Sequence, residues 1–125
     1  MHHTILRPTF ERRDDRGLFS EIVNGFSFAA ASRGRMRAGA VMGNHFHKKT
    51  RIFFFLVSGS AAVKTVDVAT GATDAFRLSE GEGVYLEPGE SHSIRYQSES
   101  EFVMLNSLPY DPKEPDTFPY RVPGA

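Results

Sequence analysis

The chain of 125 residues contains no cysteine, carries no net charge and lacks long apolar runs. The absence of cysteine excludes a disulfide framework and catalysis by a thiol. Because its fifteen basic and fifteen acidic residues cancel, no overall field attracts nucleic acid or an anionic membrane. No stretch approaches the roughly 18 apolar residues of a membrane-spanning helix, and the N-terminus lacks an apolar signal segment. We therefore expect a soluble cytoplasmic protein that binds neither nucleic acid nor membrane.

Helical periodicity is also missing, since no segment sustains apolar residues at i, i+3, i+4 and i+7. Turn signals rich in glycine, proline and aspartate recur at short intervals instead, and residues 33–34 and 43–44 are among the expected reversals. The segments between them are short and rich in β-branched and aromatic residues. This pattern predicts a single all-β domain over residues 1–125, a sandwich or jelly roll of about nine short strands. The predicted strands are 18–23, 26–31, 36–42, 52–57, 61–68, 73–78, 84–86, 91–96 and 101–106.

Two segments depart from the usual alternation of a half-buried strand. Residues 53–57 are continuously apolar, which predicts that both faces are covered, one by the interior and the other by a second subunit. We therefore expect a homodimer. The C-terminal segment 109–125 holds five of the seven prolines, and proline removes the donors of a strand ladder. We expect residues 110–120 to lie on the domain as an irregular segment.

Three of the five histidines form the most informative pattern in the chain. His45 and His47 are two residues apart, so on a strand their side chains point to one face. His92 follows the turn Pro88-Gly89 and can converge on them from another strand. Such a group can hold a metal ion or place a base for proton transfer in a pocket.

Arginines alternate along the segment that ends at residue 37. Arg33, Arg35 and Arg37 would lie on one face of a strand. This spacing is typical of a solvated strand face, and it is also suited to a substrate pyrophosphate. Arg35 and Arg37 are the candidate substrate ligands.

The histidine motifs resemble the two conserved motifs of the cupin superfamily. The first, Gly43-Asn44-His45-Phe46-His47, supplies a His-x-His pair, and the second, residues 80–92, supplies a further histidine after a Pro/Gly turn. Residues 15–21, Asp-Arg-Gly-Leu-Phe-Ser-Glu, are similar to a strand of cupin epimerases and isomerases that act on nucleotide-linked 4-keto sugars. Residues 110–118 are similar to the end of the cupin domain in capsular-polysaccharide reductase/epimerases. The resemblance implies a cupin-type double-stranded β-helix.

The resemblance also implies a reaction, the epimerisation or keto migration of a nucleotide-linked 4-keto-6-deoxysugar in surface-polysaccharide or deoxysugar biosynthesis. A 4-keto group acidifies the neighbouring C3 and C5 protons, so the reaction needs a base and a means of stabilising the enolate. His45 or His47 would be the base. Tyr85 or Tyr96, which flank the second motif, would be the acid on the opposite face of the ring.

Two further cations enter through the same resemblance. Arg16 is a candidate substrate ligand, with a structural salt bridge to Glu21 as the alternative. The run His47-Lys48-Lys49 looks like the metal-independent deoxysugar ketoisomerases, which makes Lys48 another candidate substrate ligand.

One position departs from the cupin pattern. The usual glutamate ligand falls at residue 52, where this chain has Ile52, so the cage of three histidines and one glutamate is incomplete. Two interpretations remain open. His45, His47 and His92 bind a divalent ion, with zinc expected first and nickel, iron or manganese as the other candidates, or the pocket is metal-free and a histidine acts as the base.

Two other functions remain open beside the sugar reaction. A metal-dependent cupin dioxygenase with three histidine ligands would contain iron or copper and consume oxygen. A cupin that binds a ligand or stores a metal without turnover is the non-enzymatic alternative.

Overall fold

The computed structural model describes residues 2–125, and every regular element in that range is a β-strand. All strand pairs are antiparallel. A sheet of four strands has the order β3-β10-β5-β8, a sheet of five has the order β11-β4-β9-β6-β7, and β1 pairs with β2 alone. The predicted all-β jelly roll is confirmed. The eleven strands are β1 Phe10–Asp14, β2 Gly17–Glu21, β3 Ala30–Met36, β4 Val41–Phe46, β5 Ile52–Ser58, β6 Ser60–Asp67, β7 Thr73–Ser79, β8 Glu82–Leu86, β9 Glu90–Tyr96, β10 Ser100–Asn106 and β11 Phe118–Pro119.

Residues 2–125 contain no helix that is long and apolar enough to cross a membrane.

The main core lies between the two larger sheets. Alternate residues of β5, Ile52, Phe54 and Leu56, point inward and are at most 2% exposed. They pack with inward residues of the other sheet, including Ile94 and Tyr96. Each large apolar side chain buried in this way stabilises the fold by about 1.5–3 kcal/mol. The alternation of β5 therefore fixes which face of each sheet is interior.

The outer face of β5 has a cover of its own. Phe53 and Phe55 are nearly fully buried in a second cluster with Ile22, Val23 and Phe26, residues that follow β2. The prediction that a second subunit covers this face is therefore wrong. The chain folds its own segment over the apolar strand, and the homodimer remains a prediction without this basis.

The predicted boundaries around residues 26–42 were wrong. The structure has one strand over Ala30–Met36 and the next over Val41–Phe46, with the reversal at Arg37, where the Ala40 N–H donates to the Arg37 carbonyl. Gly34 lies in the middle of β3. Only glycine fits there, because a Cβ would come within 2.5 Å of the Phe102 ring. Gly34 is therefore a packing glycine, and the expected reversal at residues 33–34 does not occur.

Both ends of the chain pack on the edges of the sandwich. Leu6 pairs with Gly83 of β8, and the His3 N–H donates to Asp74 of β7, so the N-terminal segment closes the side between these two edge strands. At the other side, β11 pairs with β4. The predicted irregular segment 110–120 is irregular except for this two-residue strand. The edges β3 and β11 are left as the open side of the sandwich.

Candidate functional site

The pairing of β4 with β9 places His45 directly opposite His92. The register shifts between Gly43 and His45, and both Gly43 and Asn44 have positive φ, 103° and 58°. A Cβ on Gly43 would collide with the His92 carbonyl, so only glycine fits. The residues expected to form a reversal at 43–44 therefore form a bulge within β4, a common way to re-aim a side chain.

Three imidazoles converge at this end of the barrel. The ring centroids lie 4.9 Å apart for His45 and His92, 5.1 Å for His45 and His47, and 5.9 Å for His47 and His92. One nitrogen from each ring lies within 4.8 Å of the others. The structure thus brings together the histidines whose spacing predicted a common site.

Burial keeps two of these rings neutral. His92 is 4% exposed, and its burial, with smaller contributions from His45 and His47, lowers its pKa to about 3. Burial and then the neighbouring His47 also lower the pKa of His45, against an opposing hydrogen bond with Gly43. At neutral pH both rings therefore offer a lone pair to an ion or a proton.

The C-terminal segment orients His47. Its Nδ1 pairs with the Asp116 carbonyl, which can only accept, so Nδ1 carries the proton and Nε2 offers the lone pair. The Asp116 carboxylate accepts from the backbone N–H groups of Lys48, Lys49 and Thr50 at 2.8, 2.9 and 2.8 Å, and from the Thr50 hydroxyl at 2.9 Å. Desolvation alone would raise the pKa of Asp116, but these donors outweigh it and lower the pKa to about 2. Asp116 therefore holds the backbone of residues 48–50, which directly follow His47, in place.

The donor set fits a divalent metal ion. His47 Nε2 and His92 Nδ1 are buried without a hydrogen-bond partner, an arrangement that is costly unless something occupies the space they face. Ile52 is 2% exposed and faces the interior, so it adds no ligand. Three imidazole nitrogens with an open fourth position are typical of catalytic zinc sites.

The two tyrosines predicted as acids lie elsewhere, so that prediction was wrong. Tyr85 is on the outer face of its sheet, where its ring packs against Phe26 and Phe53. Tyr96 faces inward, but it is four residues from His92 on the same strand, about 13 Å along it. It is fully buried, its hydroxyl contacts the Met42 sulfur, and burial raises its pKa. Neither face could be assigned from sequence.

The arginines also lie away from the three histidines. Arg16 binds Asp14 at 2.7 Å within the β1–β2 turn, so the expected partner Glu21 was wrong as well. Arg35 is on the outer face of β3 and binds Glu101 at 2.6 Å. Arg37 is exposed in the turn after β3. Their prediction as ligands of a substrate bound at the histidines is not supported by this placement.

Lys48 is the one predicted cation next to the histidines. Its Nζ lies 4.2 Å from the centroid of the Phe118 ring, on the rim beside His47. A cavity of about 520 Å³ opens there between Lys48, Phe118 and the proline-rich segment near Pro115.

Three polar residues with buried or hydrogen-bonded side chains were not predicted as part of the site. Asp116 orients the loop after His47. Thr65 pairs with His92 in the sheet register, and Asn106 ends β10 opposite Ile52; each has a buried, unpartnered side-chain oxygen. Asp116 had a visible signal in its similarity to the end of the capsular-polysaccharide domain. Thr65 and Asn106 had none.

Comparison with known proteins agrees with the fold. The structure is similar to dTDP-4-dehydrorhamnose 3,5-epimerase from Sulfolobus tokodaii, with a TM-score of 0.78, 20% identity, and coverage of 91% of this chain and 75% of that one. It is also similar to NovW, a 4-keto-6-deoxy sugar epimerase from Streptomyces spheroides, with a TM-score of 0.74, 24% identity, and coverage of 89% and 66%. CapF, the capsular polysaccharide assembling protein of Staphylococcus aureus, gives a TM-score of 0.71 at 26% identity over 90% of this chain, which spans only 32% of CapF.

Sequence comparison points to the same group of proteins. The spore coat polysaccharide biosynthesis protein SpsL of Bacillus subtilis is 26% identical over 125 positions, which cover 89% of this chain and 83% of SpsL. The family model described as the polysaccharide biosynthesis C-terminal domain matches residues 12–118. The chain therefore belongs to the polysaccharide biosynthesis C-terminal domain family.

Proposed function

We propose that this protein epimerises or isomerises a nucleotide-linked 4-keto-6-deoxysugar by removing a proton next to the ketone. The observation that carries the proposal is the convergence of three imidazoles within the barrel, two of them held neutral by burial. A neutral histidine is the side chain best suited to accept a proton near neutral pH. The similar structures named as 4-keto sugar epimerases support the substrate class.

We assign the base to the His45 and His47 pair. His47 donates Nδ1–H to the Asp116 carbonyl, which leaves Nε2 as the acceptor and places partial negative charge behind the ring as it becomes cationic. His45 is half-buried with a lowered pKa. His92 is the most buried of the three rings, and burial lowers its pKa to about 3, so we assign it a supporting role beside the other two.

The enolate oxygen needs a cationic or hydrogen-bonding partner. In the alternative with a metal, the three histidines would hold a divalent ion such as zinc, which would polarise the carbonyl and stabilise the enolate. A ring whose free nitrogen binds the ion cannot also accept the proton, so a histidine acts as the base only in the metal-free pocket. Asn106 and its register partner Ile52 lie on the sheet that faces the one carrying His45 and His92. We propose that Asn106 Oδ1, which is buried without a hydrogen-bond partner, accepts a hydrogen bond from a hydroxyl of the sugar and orients the sugar toward the histidines.

The open side of the sandwich gives the substrate a way in. The edges β3 and β11 border it, and a cavity lies at the rim beside Lys48 and Phe118. An ammonium and an aromatic ring at the rim suit the phosphates and base of a nucleotide. We infer that the sugar enters first and the nucleotide stays at the rim.

The test is deuterium incorporation. A nucleotide-linked 4-keto-6-deoxyhexose incubated with the enzyme in D₂O should gain mass at the carbon next to the ketone, whereas the matching 4-hydroxy nucleotide sugar should gain none. His45→Gln and His47→Gln should each slow exchange by at least about 100-fold, in the range expected for loss of a general base. Arg35→Gln, on the outer face, is the matched control and should exchange at the wild-type rate. If a panel of 4-keto nucleotides with different bases shows no exchange, the proposal is wrong.

A further inference from the structure

A second histidine cluster lies outside the site described above. The N-terminal segment brings His2 and His3 against Asp74 of β7 and Glu90 of β9. The His3 side chain is 3% exposed, and those of Asp74 and Glu90 are 6% and 7% exposed. We propose that His2, His3 and Glu90 form a second divalent metal site of the zinc class, with Asp74 as the residue that orients His3.

The distances suit a small ion. His3 Nε2 lies 2.8 Å from Glu90 Oε1, and His2 Nε2 lies 3.0 Å from Glu90 Oε2. Zinc with bonds of roughly 2.0–2.1 Å in a tetrahedron holds its ligand atoms about 3.3 Å apart. The two histidine–glutamate pairs need to open by only about half an ångström to reach this spacing, and one atom from each of the three side chains already lies within 4.8 Å of the others.

Asp74 supplies the orientation that such a site needs. Its Oδ2 lies 2.7 Å from His3 Nδ1 and also accepts the His3 backbone N–H at 3.3 Å. In the metal-free protein Nδ1–H donates to Asp74 and Nε2–H donates to Glu90. Release of the Nε2 proton would leave a lone pair aimed at an ion held beside Glu90. A carboxylate behind a ligating histidine is the usual arrangement in zinc proteins.

The charges of the four side chains and the exposure of His2 to solvent also favour a divalent ion. Two imidazoles and two carboxylates around one divalent ion give a neutral assembly, which lowers the cost of keeping both carboxylates away from water. His2 is 56% exposed, so the ion can enter from the solvent side and keep a water as its fourth ligand.

A bound ion would act as a metal clip, a crosslink between the N-terminal segment and the rest of the fold. The N-terminal segment closes the side of the sandwich between β7 and β8 through Leu6 and His3. An ion bound by His2, His3 and Glu90 would fix this segment to β9, the strand that carries His92. The clip does not depend on the proposed reaction.

Zinc stoichiometry tests the proposal on untagged protein stripped with a chelator. His2→Gln is the informative variant, because the exposed His2 can be replaced without disturbing the buried pair. It should bind one zinc fewer than the wild type, whereas Glu87→Gln, an exposed carboxylate on the neighbouring turn, should bind as many as the wild type. His45→Ala/His47→Ala separates the two sites: it should keep one zinc, and adding His2→Gln should weaken that binding at least tenfold.

Thermal unfolding gives an independent readout. Zinc should raise the unfolding midpoint of His45→Ala/His47→Ala by several degrees and should lose this effect when His2→Gln is added. Equal zinc stoichiometry in wild type and His2→Gln, or no zinc bound by a folded His45→Ala/His47→Ala, overturns the proposal.

Discussion

Acidification should destabilise the metal-free protein through His92. Its pKa is about 3 in the folded protein and about 6.5 in an unfolded chain. The unfolded chain therefore binds a proton at His92 below pH 6.5, whereas the folded protein binds it only near pH 3 and below. The stability that depends on neutral His92 is fully present above pH 6.5, and below this pH the free energy of unfolding falls by roughly 1.4 kcal/mol per pH unit. Between pH 6.5 and 5 the loss from His92 is about 2 kcal/mol, a large share of a typical stability of about 5–15 kcal/mol.

The other groups with shifted pKa values change the stability mostly outside the range from pH 5 to 6.5. The pKa of His3 is raised, so its contribution is fully present below pH 6.5 and is lost as the pH rises through its folded value. The pKa values of Asp74 and Glu90 are lowered, so their contributions are lost as the pH falls below their unfolded values, near pH 4. His45 has a lowered pKa and acts in the same direction as His92.

Urea denaturation of chelator-treated protein between pH 6.5 and 5 measures the effect. His92→Gln should lower the slope of unfolding free energy against pH by about 1.4 kcal/mol per unit, one proton's worth. Thr65→Val, a buried change at the register partner of His92, carries no titratable group and should shift the stability without changing the slope. An unchanged slope in His92→Gln would refute the assignment of a neutral buried His92.

Three further substitutions test other parts of the site. Asp116→Ala removes the acceptor for three backbone N–H groups and one hydroxyl and should lower the unfolding free energy by about 1–3 kcal/mol in urea titrations, whereas Glu114→Ala, exposed on the same segment, should change it by less than about 0.5 kcal/mol. Ile52→Glu should strengthen zinc binding at least tenfold by adding the missing ligand, and should destabilise the metal-free protein by burying a carboxyl group; unchanged zinc affinity would place Ile52 away from the ion. Tyr85→Phe should keep the wild-type exchange rate because its ring lies on the outer face, and a large loss of rate would return Tyr85 to the role of acid.

Burial decided which strands could be predicted. The strands between residues 52 and 106 have apolar residues in period two or in continuous runs, and their predicted positions match the structure within a few residues. β1 was missed because all five of its residues are exposed, which leaves no apolar pattern. The error at Gly34 has another cause, since a glycine that makes room for a neighbouring ring looks the same in sequence as one that allows a turn.

The same distinction holds for the site. The three histidines could be predicted because His45 lies in β4 and His47 follows directly after that strand, at a two-residue spacing. The Asp116 contact with Lys48 and, in the second cluster, the His3 contact with Glu90 could not be predicted, because they join residues that are 68 and 87 positions apart in the chain. The faces of Tyr85 and Tyr96 depended on strand parity, which a shift of one residue inverts.

Proton NMR of a nucleotide-linked 4-keto-6-deoxyhexose in D₂O tests the central claim most directly. With the wild-type enzyme, the signal of the C3 or C5 proton should disappear at a rate proportional to enzyme concentration, and in His45→Gln/His47→Gln it should persist. Persistence of both signals with the wild type, or their loss at equal rates in the wild type and the double variant, would contradict proton abstraction by these histidines.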